Sequence, residues 1–229
     1  MMQAILSEKF RLIQKLVREG VIRSERVKKA FLTVPREEFV PQVYRKYAYD
    51  DTPLPTLEGQ TISAPHMCAI MCELLDLKPG DKLVEIGTGS GYHAALCSEI
   101  VSPGKTIDGA VVTMEIIERL ARYALSNLKK TGYLAKIDVI VADGSFSLPL
   151  RKTFTRGIVT AAVPQIPKNL LEVIKEGGRI IAPVGSRYYQ ELLVIAKKRE
   201  GEESIENYGG CLFVPLKGIK GYGSRYSDG

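Results

Sequence analysis

Apolar positions along this chain change their period twice. Over residues 3–19, Ile5, Phe10, Leu12, Ile13 and Leu16 stand among charged residues, and Gly20 follows. That spacing predicts an amphipathic helix with a glycine stop. Ser24 is a candidate N-cap for a second helix that carries Val27, Ala30, Phe31 and Leu32 on its inner side and ends before Pro35. Residues 34–41 form a proline-bracketed loop. Residues 44–65 have little periodicity and many turn formers, and a stretch of that length inside a compact protein is expected to be a binding loop or lid. Helical spacing returns from Pro65 in Met67, Ile70, Met71, Leu74 and Leu75.

Beyond residue 80 short apolar runs alternate with helical patterns. Strands are expected at 83–86, 110–114, 137–141, 154–160, 179–184 and 191–197, with a final edge strand at 209–216. Helices are expected at 91–100, 117–128 and 168–175, the last stopped by Gly177 and Gly178. The alternation predicts an α/β fold, a doubly wound and mainly parallel sheet with an N-terminal helical extension. The expected division is 1–65 for the helices and a substrate loop packed on the core, 66–216 for the core, and 217–229 for a loose, Gly/Ser-rich tail.

The most informative stretch is Leu83-Val84-Glu85-Ile86-Gly87-Thr88-Gly89-Ser90-Gly91-Tyr92. It reads as a buried strand, a tight turn and a helix start, whose free N–H groups face the ligand crevice. A dinucleotide fingerprint needs glycine where Tyr92 stands. Glycines at 87, 89 and 91 with Glu85 two residues earlier suit S-adenosylmethionine (AdoMet), because the ligand has no phosphate to repel the carboxylate and carries an ammonium to attract it. A glycine-rich turn without a ligand fits the same residues. Glu115 ends the second strand, 24 residues after Gly91, where a carboxylate can accept from both ribose hydroxyls. A surface glutamate would read alike. Asp143 closes the third strand and can accept from the adenine amino group or serve a turn, and Thr160 lies at the end of the fourth.

Composition narrows the class. A chain of 229 residues, 45% hydrophobic and 25% charged, is typical of a soluble globular protein. No apolar run approaches a membrane span and no signal-peptide pattern opens the chain, so a cytoplasmic protein without a membrane partner is expected. The net charge of +6 is scattered, so no nucleic-acid partner is expected. Cys68 and Cys72 are one helical turn apart with His66 nearby, but there is no C-x-x-C pair. Buried structural thiols, and no metal, are the expectation for the four cysteines.

Several of these stretches together resemble the protein-L-isoaspartate O-methyltransferase family. They are Val34-Pro35-Arg36 with Phe39-Val40-Pro41, Pro53-Leu54-Pro55, the loop from Gly59 through Gln60-Thr61-Ile62-Ser63-Ala64-Pro65-His66-Met67, and the glycine turn. Asp143-Gly144, Val159-Thr160-Ala161-Ala162 with Pro164, Pro167, Gly177-Gly178-Arg179, Pro183-Val184-Gly185 and Phe213-Val214-Pro215-Leu216 complete the set. The resemblance implies the fold of class I AdoMet-dependent methyltransferases, AdoMet as cofactor with S-adenosylhomocysteine as product, and isoaspartyl-containing proteins as substrates of a monomeric enzyme. It implies methylation of the α-carboxyl of L-isoaspartyl residues and repair through a succinimide. It maps the active-site serine to Ser63, and cofactor contacts to Thr61, Ile62, His66, Glu85, Gly87, Thr88, Gly89, Ser90, Gly91, Glu115, Ile116, Asp143, Gly144 and Thr160. From residue type alone, Ser63 also suits a helix cap, and His66 also suits packing at a helix start. Thr155 replaces the family's usual Asp, and a bulky residue is usual near Gly157. Both lie at the far end of their strand, so an effect on stability is expected. A methyltransferase with another acceptor, and an AdoMet-binding protein without catalysis, are the competing readings.

Overall fold

A computed structural model describes residues 2–105, 108–146, 148, 153–198 and 202–222. Helix α1 (Met2–Arg18) buries Leu12, Ile13 and Leu16, and the chain turns at Gly20 with φ of 71°. Helix α2 (Glu25–Thr33) is capped as expected: the Ser24 hydroxyl accepts from the Val27 N–H at 3.3 Å. Ser24 does a second job. Its N–H and hydroxyl donate to Glu73 Oε1 at 2.8 and 3.0 Å, which ties α2 to helix α3 (Pro65–Leu75).

The aperiodic stretch before α3 is not structureless. It contains 3-10 turns at Gln42–Tyr47 and Leu57–Gly59 and a hairpin of β1 (Leu54–Pro55) with β2 (Thr61–Ile62), and another 3-10 turn, Arg36–Glu38, lies in the proline-bracketed loop before it. Polar side chains hold it, which is why no hydrophobic period betrays it. Asp51 Oδ1 accepts from both the N–H and Nδ1 of His66 at 2.9 Å, and Asp51 Oδ2 accepts from Lys15 at 3.2 Å.

The remaining elements are β3 (Lys82–Ile86), α4 (Tyr92–Val101), β4 (Ala110–Glu115), α5 (Glu118–Thr131), β5 (Ile137–Val141), β6 (Phe154–Val159), α6 (Lys168–Val173), β7 (Ile174–Gly185), β8 (Gln190–Lys197) and β9 (Glu203–Cys211). They build a seven-stranded sheet in the order β5-β4-β3-β6-β7-β8-β9. Strands β3 to β7 run parallel, β8 pairs antiparallel with β7 and β9 antiparallel with β8, so the sheet is mainly parallel as predicted. Side chains alternate across it. Leu83, Val111, Ile158 and Ile181 join α1 to α4 in one buried cluster, whereas Val84, Ile86, Met114, Val159 and Ile180 join Leu170 and Val173 of α6 in another.

Two expected elements are corrected. Helix α6 ends at Val173, and Gly177 and Gly178 lie inside β7 instead of stopping a helix. The register against β6 jumps between Phe154↔Ile174 and Arg156↔Arg179, so the glycines occupy a bulge. Gly177 has φ of 76°, and a Cβ on Gly178 would stand 2.4 Å from Ile174 Cγ2. The edge strand is β9, at Glu203–Cys211, and not 209–216. Its residues are almost all exposed, so they carry no apolar signal. Past Cys211 the chain returns to the end of β6, where Ala162 pairs with Pro215.

The two unusual residues of β6 have local partners at its amino end. The Thr155 hydroxyl donates to Asp81 Oδ1 at 2.7 Å and accepts from the Lys82 N–H at 3.1 Å. Gly157 leaves room for Ile180, Leu170 and Ile174, each within 3.3 Å of where a Cβ would sit.

Asp51 generates a testable expectation. Burial pushes its carboxyl up, but the N–H and ring of His66 and the Lys15 ammonium more than offset this and hold it below its ordinary value. Its contribution to stability is therefore complete above the unfolded value, about 4, and is lost as pH falls through the folded value. Asp51→Asn should lower Tm at neutral pH by roughly 2–4 °C, for a loss of about 1 kcal/mol. Thermal melts from neutral pH down to about 3 should show the two proteins converging; a constant gap would contradict this role.

Candidate active site

The chain leaves β3 for one side of the sheet and β6 for the other, so a crevice opens at their carboxyl ends. The Thr160 N–H donates to the Ile86 carbonyl at 3.0 Å, and its hydroxyl donates to the carbonyls of Ile86 and Gly87. Gly87, Gly89 and Gly91 have φ of 101°, 57° and 87°. A Cβ on Gly87 would also stand 2.5 Å from Thr160 Oγ1. Glycine is required there twice over, by conformation and by space. Gly91 is the N-cap of α4 and backs onto Leu128 and Ala124 of α5, away from the cleft.

The cleft has an empty volume of about 830 Å³, open mouth included. Of the residues expected at a cofactor, Thr61, Ile62, Gly87, Thr88, Gly89, Ser90, Glu115, Ile116, Gly144 and Thr160 line it, and Ser63 lines it with them. Glu115 is set between two backbone donors: Oε2 accepts from the Gly89 N–H at 3.0 Å and Oε1 from the Ile117 N–H at 3.1 Å. Burial raises its carboxyl above the ordinary value, and these donors pull the other way.

Ser63 is not a helix cap. The N-cap of α3 is Ala64, with no side-chain cap hydrogen bond. The Ser63 carbonyl is held by the buried Arg36 guanidinium at 2.8 Å, while Arg36 Nε donates to the Ala48 carbonyl at 2.8 Å. The guanidinium also lies 4.8 Å from the centre of the Tyr92 ring. The serine is thus fixed through its backbone, and its side chain is left for the cleft.

Four expected cofactor residues do not line the cleft. Gly91 shapes the turn from behind. Glu85 is fully buried beneath it, where Oε2 accepts from the Thr113 hydroxyl at 2.6 Å and Oε1 lies 3.4 Å from His93 Nδ1. His66 is bound to Asp51. Asp143 is spent on the chain itself: Oδ1 accepts from the Ser145 N–H and hydroxyl at 2.9 and 2.6 Å, and Oδ2 from the Ile219 N–H at 2.8 Å.

That last bond reveals what sequence reasoning missed. Val214, Pro215, Leu216 and Lys217 form part of the lining, together with Ala142. The stretch expected to be a loose tail, 217–229, begins with residues bonded into the site: Lys220 N–H donates to Ser145 Oγ at 3.0 Å, and Tyr222 N–H to the Leu216 carbonyl at 2.9 Å. Residues 223–229 lie outside the described part.

A mainly parallel sheet with a three-glycine turn at its switch point and a carboxylate one strand away is the arrangement of the class I AdoMet-dependent methyltransferases, and here the loop before α3 lines the same cleft. Residues 7–221 match the sequence model of the family described as protein-L-isoaspartate(D-aspartate) O-methyltransferase (PCMT). The chain is 50% identical over 221 residues to the protein-L-isoaspartate O-methyltransferase of Hyperthermus butylicus, covering 95% of this chain and 92% of the relative. It is 51% identical over 212 residues to that of Methanopyrus kandleri, covering 93% and 92%. Among solved structures it is similar to a Plasmodium falciparum chain with the PCMT designation, in complex with S-adenosyl-L-homocysteine. The TM-score is 0.80 at 27% identity, covering 90% of this chain and 96% of that one. The protein belongs to the protein-L-isoaspartate O-methyltransferase family and is a methyltransferase that uses AdoMet.

Glu115→Ala should weaken binding of S-adenosylhomocysteine about 10- to 100-fold, the size of a lost charged hydrogen-bond acceptor. Calorimetric titration measures it, and unchanged affinity would remove Glu115 from the binding site.

Proposed function

We propose that this chain transfers a methyl group to the α-carboxyl of L-isoaspartyl residues in damaged proteins, with Ser63 orienting that carboxylate. The observation that carries this reading is the placement of Ser63 in the same cleft as the glycine turn, with its backbone clamped by Arg36. Thr61, Ile62, Thr88, Gly89, Ser90, Glu115, Ile116, Gly144 and Thr160 would hold AdoMet, and the fit rests on the glycine turn and the Glu115 carboxylate lining one cleft. When bound, AdoMet supplies a methyl group on a sulfonium.

The chain's own part is small. The substrate carboxylate is already ionised at neutral pH, so no general base is needed. A serine hydroxyl can donate to it and set its angle without removing a proton. Attack is in line, so holding the carboxylate within reach is the main contribution. Opposite charges vanish as the methyl moves, and a cleft drier than water favours that step. Without the enzyme, the backbone amide nitrogen then attacks the methyl ester and expels methanol to close a succinimide, and hydrolysis returns some normal aspartate. Glu85, His66, Gly91 and Asp143 act on this reading through the elements they hold. No helix among the described residues is long and apolar enough to cross a membrane.

Labelled AdoMet offered with matched isoaspartyl and aspartyl peptides tests the substrate. Label on the isoaspartyl peptide alone, lost in mild alkali, is expected; equal labelling of both, or labelling of RNA in competition, would overturn the reading. Ser63→Ala should reduce turnover roughly 10- to 100-fold, the cost of one charge-assisted hydrogen bond, while leaving the affinity for S-adenosylhomocysteine unchanged. Full turnover in that variant would remove Ser63 from catalysis.

A further inference from the structure

Behind the cleft, α3 and α4 share a buried cluster of soft donors that methyl transfer does not use. His93 and Cys97 are four residues apart, so they project from one face of α4. Cys72 meets them from α3. One donor atom from each of Cys72, His93 and Cys97 lies within 4.8 Å of the others, and all three residues are buried. Cys72 Sγ is 3.7 Å from His93 Nε2, and Cys97 Sγ is 3.6 Å from His93 Nδ1. Glu85 Oε1, 3.4 Å from the same Nδ1, is buried and has no hydrogen-bond partner among the described residues.

We propose that Cys72, His93 and Cys97 form a site for a thiophilic divalent cation, with Zn²⁺ the ion that the donors suit best. Two thiolates and an imidazole are ligand types that zinc takes, whereas magnesium and calcium take oxygen. The charges also balance. One Zn²⁺ with two thiolates and a neutral imidazole adds no net charge to the interior, so the burial penalty of each ion is offset. Binding releases the two thiol protons to solvent, so affinity rises with pH. An ion on Nε2, the nitrogen beside Cys72, requires the Cys97 thiol to swing from beside Nδ1, which leaves Nδ1–H for the unpartnered Glu85 Oε1; such a carboxylate fixes both the tautomer and the orientation of a metal-binding ring. Metal–ligand bonds of about 2.0–2.3 Å need donors closer than 4.8 Å, a contraction of about 1 Å. Cys68 takes no part, because its Sγ faces the Ser63 carbonyl at 3.8 Å.

The ion has a route in and a structural consequence. His93 lines the cleft, so the cluster is reached from it. Helix α3 starts two residues after Ser63, and α4 starts at the end of the glycine turn. A shared ion joins the helices behind the two walls of the cleft.

The test uses the full chain, reduced and stripped with a chelator, titrated with Co²⁺ and then with Zn²⁺. The expected result is one ion per chain, with a near-ultraviolet thiolate-to-cobalt band that Zn²⁺ abolishes, and a Tm that rises with bound Zn²⁺. Cys72→Ala and Cys97→Ala should each weaken Zn²⁺ binding by roughly 100-fold or more, while Cys68→Ala and Cys211→Ala leave it unchanged. Failure of the folded wild-type chain to take up either ion would overturn the proposal, whatever the variants do. So would a cobalt band that survives both Cys72→Ala and Cys97→Ala, or one that disappears with Cys211→Ala.

Discussion

The contact between Gly87 and Thr160 sets the shape of this molecule's working end. Strands β3 and β6 are neighbours in the sheet but lead their chains in opposite directions, and at their ends the backbone of one must pass under the side chain of the other. Thr160 bonds the carbonyls of Ile86 and Gly87, which closes the gap between the strands. The closeness leaves no room for a Cβ on Gly87. The turn is then fastened to the next strand: the N–H groups of Gly87 and Thr88 donate to the Met114 carbonyl, and that of Gly89 to the Glu115 carboxylate.

The opposite wall depends on a buried charge. Arg36 comes from the first of the 3-10 turns, yet its guanidinium donates to Ala48 and Ser63 and stacks over Tyr92 at the start of α4. A guanidinium in the interior is tolerable because carbonyl oxygens and an aromatic face surround it. It makes the N-terminal extension part of the site. The same continuity appears in the packing, where Leu16 and Phe31 of the extension share one buried cluster with Met71 and Leu96 of α3 and α4.

Chemically the site asks for little beyond position. The nucleophile arrives ionised and the donor carries its own leaving group, so no proton relay is needed. This suits a cleft built from glycines, backbone N–H groups and hydroxyls. Of the ionisable groups around it, Glu115 lines the cleft, Glu85 is buried beneath the turn, and Asp143 fastens the segment that follows Leu216.

Much of this was legible in the residue order. Period-two and helical spacing located the strands and helices of the core, because a half-buried face imposes its own repeat. The glycine turn, Ser63, Glu115 and Thr160 were legible because each stands at the end of a strand or in a loop that a family pattern marks. Three things were not. The strand at Glu203–Cys211 is exposed and polar, so nothing in its composition sets it apart from a loop, and only pairing with β8 makes it a strand. Asp143 and His66 had side chains of the right type in the right region, but their direction depends on Ile219 and Asp51, 76 and 15 residues away. Cys72 and Cys97 are separated by a whole strand and turn in sequence, and only the packing of α3 on α4 sets them around His93. Sequence alone determined which elements form and which residue types stand at the strand ends, since those follow from local periodicity and turn chemistry. The tertiary structure decided where each polar side chain points, since that depends on partners that only folding brings within hydrogen-bond reach.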